Sequence, residues 1–396
     1  MTELVLGPWA VGIDHITTDT ATPKGAVRDA VNGDFDRSGE FTLRYGYVPV
    51  LTGTGIHSLW TSAVTGLTLC VYGNNLCRVS SGLTLTPIYA LATNGPMSFT
   101  DLNGEVLASN IVDVIKVLPN GTARAMSVAN PARPTVAATI NGGLDAGRYC
   151  VAQTLVNLET HEETGLSEWA FITVAQGGGI ALSNLADAPG FQRNIYRSAA
   201  NGDALYLAAT LPTILSNYLV GTGQMGRLTD TSNLSPLPAG QFIRGWRGRA
   251  VVARGNVLYF SEPLRYGLHS PRNGFVQFAH IITLMECVEG GIFVGTQDGV
   301  VFLSGSKPDE LTVVHTGGKV PYAGSGLTFH SSNLGGDLAR SGQTVAAWFA
   351  PNGYVVGTAT GQLIELQSER IAIPIGTDAG QGRTFINERR LTTLFH

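Results

Sequence analysis

The sequence predicts an all-β protein: a β-propeller of about five to seven irregular blades with a β-sandwich domain inserted into it. Three observations predict this. Helical signals are almost absent, because windows that begin with apolar residues at i, i+3, i+4 and i+7 are soon broken by Gly or Pro. Short β-branched or aromatic runs alternate instead with turns rich in Gly, Asn and Asp. The later hairpins recur, with turns near 255, 298 and 360. Those intervals are close to a blade length of about 40 to 50 residues, with one longer gap that can hold an irregular blade.

The elements follow in order. Residues 67–72 and 76–79 flank Gly73-Asn74-Asn75, a strand–turn–strand unit. A second candidate blade begins at Ser98-Phe99-Thr100-Asp101 and runs to residues 117–122. The texture then changes. Asn130-Pro131-Ala132-Arg133-Pro134 reads as an extended linker, and residues 147–156 form a strand. A polar loop over 159–165 leads to strands at 170–174 and 179–182. A hairpin over 193–198 and 204–209 turns at Asn201-Gly202-Asp203. About 100 residues of short strands suit a β-sandwich. Leu234-Ser235-Pro236-Leu237-Pro238 then returns the chain to the hairpin repeat. Three further hairpins turn at Arg254-Gly255-Asn256, Gln297-Asp298-Gly299 and Ala359-Thr360-Gly361. The expected division is 1–129 and 238–396 for the two parts of the propeller, and 130–237 for the inserted sandwich.

Composition agrees with this and excludes several classes. The chain has 396 residues, with 50 Gly, 18 Pro and only 14% charged residues, against a usual charged share of about a quarter. Such a chain suits strands, tight turns and surfaces covered by partners. Disorder requires low hydrophobicity and high net charge, whereas here 44% of residues are hydrophobic and the net charge is −4. That charge gives no basic field for nucleic acid. No apolar run approaches the length of a membrane span. Residues 1–8 lack the basic and apolar regions of a signal peptide, so the expectation is synthesis and retention in the cytoplasm until assembly. Of the four cysteines, Cys70 and Cys77 flank a turn that sets them opposite each other; buried thiols are preferred to a disulfide in that compartment. Cys150 and Cys287 complete the set, and no spacing suggests zinc.

Four stretches carry a family resemblance. They are Ala30-Val31-Asn32-Gly33-Asp34-Phe35-Asp36 with residues 43–47 and 55–60; Ala146-Gly147-Arg148-Tyr149 with residues 194–198; residues 238–241 with Gly245-Trp246-Arg247-Gly248-Arg249-Ala250 and 255–263; and residues 289–296. The pattern resembles tail or head–tail structural proteins of bacteriophages, including the nozzle-like propeller proteins of short-tailed phages. Its second stretch resembles a fibronectin type III or immunoglobulin-like module. Each stretch is a turn-and-strand signature, and none is a catalytic fingerprint. The resemblance implies a virion component that forms a homo-oligomeric ring, a hexamer, around the channel through which DNA leaves. It implies neighbouring tail, adaptor or portal proteins as partners, with DNA passing transiently and unspecifically.

Asp34, Asp36 and Ser38 match the opening of a Ca²⁺ loop, but Tyr45 stands where the closing bidentate Glu belongs. A polar hairpin turn is the competing reading, and these three residues are the ligands if a cation binds. Glu159, His161, Glu162 and Glu163 lack a metal-binding spacing and read as a solvated loop. His57 and Ser58 lack a nucleophile elbow and a third member. A glycosidase would need facing carboxylates, for which Asp101, Asp113, Glu286, Glu289 and Asp298 are the candidates. The sialidase-type Ser-x-Asp-x-Gly-x-x-x-Trp boxes are absent. Arg244, Arg247, Arg249 and Arg254 flank Trp246 and suit a neighbour's carboxylates or phosphate, although strand alternation divides them between faces. The expectation is therefore a non-enzymatic structural virion protein with no cofactor. Its alternatives are a receptor- or glycan-binding tail module and, behind that, a propeller glycosidase.

Overall fold

A strand buried on both faces needs apolar side chains at successive positions. Runs such as Ala250-Val251-Val252-Ala253 and Ile292-Phe293-Val294 are of this kind. In a computed structural model, which describes residues 7–36, 38–44, 48, 50–51, 55–334, 342–373, 382–387 and 390–395, these runs lie in the middle of stacked antiparallel sheets. The blade sheets are built on meanders, in which consecutive strands pair with one another.

The first blade comprises Ile56–Thr61, Thr68–Tyr72, Asn75–Val79 and Leu85–Ala90. The second comprises Ser98–Leu102, Glu105–Ser109, Val114–Val117 and Ala123–Ala125. The third starts with Phe242–Trp246, Arg249–Arg254, Val257–Glu262 and Arg265–His269, with Ser235–Pro236 and Phe275–Gln277 added at its margin. Leu284–Val288, Gly291–Thr296, Gly299–Ser304 and Thr312–Gly318 form the fourth. The fifth comprises Leu327–His330, Thr344–Ala350, Gly353–Gly357 and Leu363–Glu365. A two-stranded sheet, Gly382–Asn387 with Arg390–Phe395, follows it, and Gly33–Phe35 pairs with Phe41–Leu43 near the start of the chain. The protein is an all-β propeller: five blades occur among the described residues, four of them four-stranded and the third enlarged to six strands, plus a terminal hairpin.

Packing between blades follows from alternation. Val106 and Ala108 join Leu69, Val71 and Leu76 of the first blade, while Leu107 between them joins Ile243 and Val252 of the third. Val251 and Ala253 pack with Ile292 and Val294 of the fourth blade. Phe293, pointing the other way, meets Trp348 of the fifth at a ring separation of 5.3 Å. The second, third and fourth blades thus each share one apolar layer with the blade before and another with the blade after. Burying both faces of the middle strands is what fixes their register, since a one-residue slip would exchange the layers.

Residues 135–220 build a different unit. Thr135–Leu144, Gly178–Ser183 and Tyr218–Val220 form one sheet; Ala170–Val174, Gly147–Asn157, Phe191–Arg197 and Tyr206–Pro212 form the other. Tyr149, Val151 and Ile195 of the second sheet share a core with Ile180, Leu182 and Val220 of the first. Two antiparallel sheets closing on one apolar layer are a sandwich.

Turn chemistry matches the residues present. Asn103 and Gly104 both have positive φ, at 53° and 79°, as a two-residue type I′ hairpin turn requires. Cys70 stands opposite Cys77 across the first blade, and all four cysteines are buried thiols. Among the described residues no helix is long and apolar enough to cross a membrane.

Candidate functional site

The first strands of the blades lie side by side at the propeller's centre, where strands Ser98–Leu102 and Leu284–Val288 both border Phe242–Trp246. Their polar side chains converge. Arg244 forms a fork on Glu286, Nε to Oε2 at 2.9 Å and Nη2 to Oε1 at 2.6 Å. Thr328 Oγ1 donates to Glu286 Oε2 at 2.6 Å, and Arg244 Nη1 donates to Ser98 Oγ at 2.7 Å. Glu286 is 1% exposed and Arg244 19%. Backbone room is part of the design: a Cβ on Gly326 would lie 2.3 Å from Glu286 Oε1. Four blades therefore contribute to one interior ion pair with geometry that compensates its desolvation.

A second polar cluster joins the propeller to the sandwich. Lys116 of the second blade, 5% exposed at its side chain, reaches Glu105 at 3.2 Å and Glu162 of the sandwich at 2.5 Å. Arg124 pairs with Glu159 at 2.8 Å. Glu163 accepts from Thr154, Asn194, Tyr196 and Arg227. Burial works against the Glu163 charge, but these hydrogen bonds outweigh it and hold the carboxyl below its ordinary range. Asp230 takes Arg265 of the third blade and also Arg227; the Arg265 hydrogen bond lowers its carboxyl against the opposing effect of burial. A cleft of about 320 Å³ opens along this seam, lined by Arg124, Glu163, Phe191, Arg227 and Leu268 among others.

The loop over 159–165 thus differs from the solvated loop that its sequence suggests. His161 remains exposed, in a left-handed conformation with φ of 58°, but its three glutamates are bound to separate cations. The partners were out of sight because they lie up to 64 residues away. Lys116, Arg124, Arg227, Asp230 and Arg265 were not anticipated from sequence. One signal was present, a lysine in a strand otherwise composed of Val and Ile, since a buried lysine requires a carboxylate.

The other candidates separate. Asp36 Oδ1 accepts from Ser38 N, Ser38 Oγ and Glu40 N, closing its own turn, while Asp34 Oδ1 takes Arg44. Arg37 and Tyr45 lie outside the described residues. Among the described residues no group of three or more His, Cys, Asp or Glu side chains could hold a metal ion. Of the four arginines near Trp246, only Arg244 turns to the centre. Arg247 donates to Glu289 O at 2.8 Å, Arg249 to Ser261 O at 2.7 Å, and Arg254 is exposed. Arg247 and Glu289 border an open cleft of about 420 Å³ with Trp246 and Cys287.

His57 bonds Ser58 Oγ at 3.0 Å and Asn94 Oδ1 at 2.9 Å. Asp101 accepts from Ser62 Oγ at 2.5 Å, Asp113 from Asn110 Nδ2 at 3.1 Å, and Asp298 pairs with His280 at 3.2 Å. With Glu286 bound to Arg244, these carboxylates stand in separate turns and strands rather than as a facing pair.

No protein-family model matches the chain, and no curated protein matches it either. Several solved propeller structures are distantly similar. The Neurospora crassa Pan2 WD40 domain is 9% identical, with a TM-score of 0.33, covering 84% of this chain and 83% of that one. A BBS1N chain in complex with ARL6DN is 10% identical at a TM-score of 0.30, covering 78% and 81%. PorZ of Porphyromonas gingivalis is 12% identical at 0.23, covering 87% of this chain and 51% of its own. At such scores the architecture rests on the strand pairing described above.

Proposed function

We propose that this chain is a structural protein of a bacteriophage tail, one subunit of an oligomeric ring around the DNA-ejection channel, in the nozzle or an adjoining tail or head–tail position. The observation that carries the reading is the charged seam. Lys116, Arg124, Arg227 and Arg265 tie the sandwich to three strands of the propeller and to its own connector, so the two units act as one wedge. A ring subunit needs such rigidity, because a closed ring sets one angle between copies.

Apolar side chains on the outside support the same reading. Ile140 is 90% exposed and Ile214 79%, both on the sandwich, and Val31 and Ile281 are exposed on the propeller side. Apolar surface of this kind is covered by partners in assembled proteins. The partners are further copies of the chain and neighbouring tail, adaptor or portal proteins. DNA passes without specific binding, in keeping with a net charge of −4. The chain performs no catalysis, and its mechanism is geometric.

Native mass measurement with electron microscopy of the purified protein tests this. The expected result is a closed ring of six copies, alone or on mixing with a portal or adaptor partner. A monomer that assembles with neither itself nor such a partner would overturn the reading, and specific retention on host glycans would replace it with a receptor-binding one.

A further inference from the structure

The outer strand of a blade leaves one row of backbone N–H and C=O groups unpaired, and proteins blunt such edges against stray pairing. Four of the five blades do so. The first carries Pro87 within Leu85–Ala90. Ala123–Ala125 of the second and Leu363–Glu365 of the fifth are three residues long and each carries a charge. In the third, Ser235–Pro236 covers Arg265–His269. The fourth blade differs. Its outer strand, Thr312–Gly318, has seven residues and no Pro, Asp, Glu, Lys or Arg, and Val313 and Val314 are exposed. Residues 312–315 pair regularly with 301–304 on one side. Among the described residues no backbone hydrogen bond reaches the other side.

The sandwich has an edge of the same kind. Thr135–Leu144 ends its sheet, has ten residues and again contains no Pro or charged side chain. Residues 135–139 pair regularly before a bulge that includes the exposed Ile140. The other sandwich edges are blunted. Tyr218–Val220 has three residues, Leu207 of Tyr206–Pro212 is bonded to Gly226 N and Arg227 O, and Arg148 lies 4.4 Å over the Phe171 ring of Ala170–Val174. Exposed charges flank both open strands, in opposite order. Arg133 precedes Thr135 and Asp145 follows Leu144, whereas Asp309 and Glu310 precede Thr312 and Lys319 follows Gly318.

We infer that Thr135–Leu144 of one copy adds in parallel to Thr312–Gly318 of the next, extending the fourth blade with the neighbour's sandwich. Parallel alignment sets Arg133 beside Asp309 and Glu310, and Asp145 beside Lys319; the antiparallel alternative opposes like charges, which is costly. Extent matches too, because the two strands span residues 178–183 and 300–304 of their own partners, and each is regular first and bulged later. The two edges are different surfaces of one chain, so the contact is heterologous, and its repetition about an axis closes a ring. This contact rests on the ring reading above and names the surfaces that make it.

Cross-linking with a short bismaleimide tests the pairing in the full chain, whose own four cysteines are buried. Co-expressed Ala137→Cys and Val314→Cys chains should give a covalent dimer, and neither chain alone should. A chain with both substitutions should give a ladder that ends at the copy number of the ring. Val314→Lys should keep the parent's circular dichroism spectrum and remain a monomer in native mass measurement. A ring that persists in Val314→Lys, no dimer from the co-expressed pair, or cross-linking of Val314→Cys to itself each overturn this contact and leave the ring reading standing. A parent chain that stays monomeric overturns both.

Discussion

Replacing Glu286 by Leu should destabilise the propeller more than any other single change at a polar position. The side chain is 1% exposed and receives three hydrogen bonds, two from Arg244 at 2.9 and 2.6 Å and one from Thr328 at 2.6 Å. Its loss leaves the largely buried Arg244 guanidinium without its carboxylate. Breaking one side of a buried ion pair costs about 3–5 kcal/mol. At roughly 2–4 °C per kcal/mol for a unit of this size, Tm should fall by about 6–20 °C. The double variant Arg244→Met with Glu286→Leu removes both charges and should recover most of that loss, since apolar replacement of a whole buried pair is near neutral. Urea and thermal unfolding followed by tryptophan fluorescence reads the propeller through Trp246 and Trp348, both buried in it. A Glu286→Leu protein melting within 1 °C of the parent refutes the argument. So does a double variant no more stable than the single one.

Other perturbations reach different layers of the structure. Trp348→Ala opens a cavity between the fourth and fifth blades beside Phe293, and should cost about 3–5 kcal/mol by urea unfolding. Gly291→Ala should lose about 1–3 kcal/mol in the same assay, because its Cβ would stand 2.0 Å from Leu303 O in the paired strand. The seam should open in acid. Glu163 and Asp230 titrate lower in the folded chain than in the unfolded one, so their contribution is complete above the ordinary carboxylate range of about 3.9–4.3 and is lost as pH falls through the folded values. X-ray scattering should show the radius of gyration rising below about pH 4 before the sheets melt, and Glu163→Gln should bring that rise to higher pH; a titration identical to the parent's counts against the seam. Finally, burial pushes the Cys70 thiol up to about 11, and all four cysteines are buried. Iodoacetamide at pH 8 should therefore label none in the native chain and all four in urea, as read by mass spectrometry.

Local pattern was enough for the sheets and too little for the polar clusters. The turns near 73, 255, 298 and 360 were visible because Gly, Asn and Asp supply backbone conformations that Val and Ile avoid. The change of texture after residue 130 was visible because Pro131 and Pro134 interrupt the hairpins. Which blade a side chain faces was not, because a run such as Ala250-Val251-Val252-Ala253 is apolar at every position. With only their neighbours in sequence beside them, Glu159, Glu162 and Glu163 look like a solvated loop. Their cations lie in the second blade at Lys116 and Arg124, and beyond the sandwich at Arg227.

The central ion pair was nevertheless written in the sequence, in a period rather than a motif. Arg244 and Glu286 are 42 residues apart, and Glu286 and Thr328 are again 42 apart. Arg247 reaches Glu289 O across the same interval. Blades of equal length place equivalent positions of their first strands side by side, so a 42-residue step moves one blade around the ring without moving along the strand. Grouping Arg244 with Arg247, Arg249 and Arg254 took proximity in the chain for proximity in space. Alternation and the tight Arg247-Gly248 turn scatter those four, whereas the blade period gathers Arg244, Glu286 and Thr328.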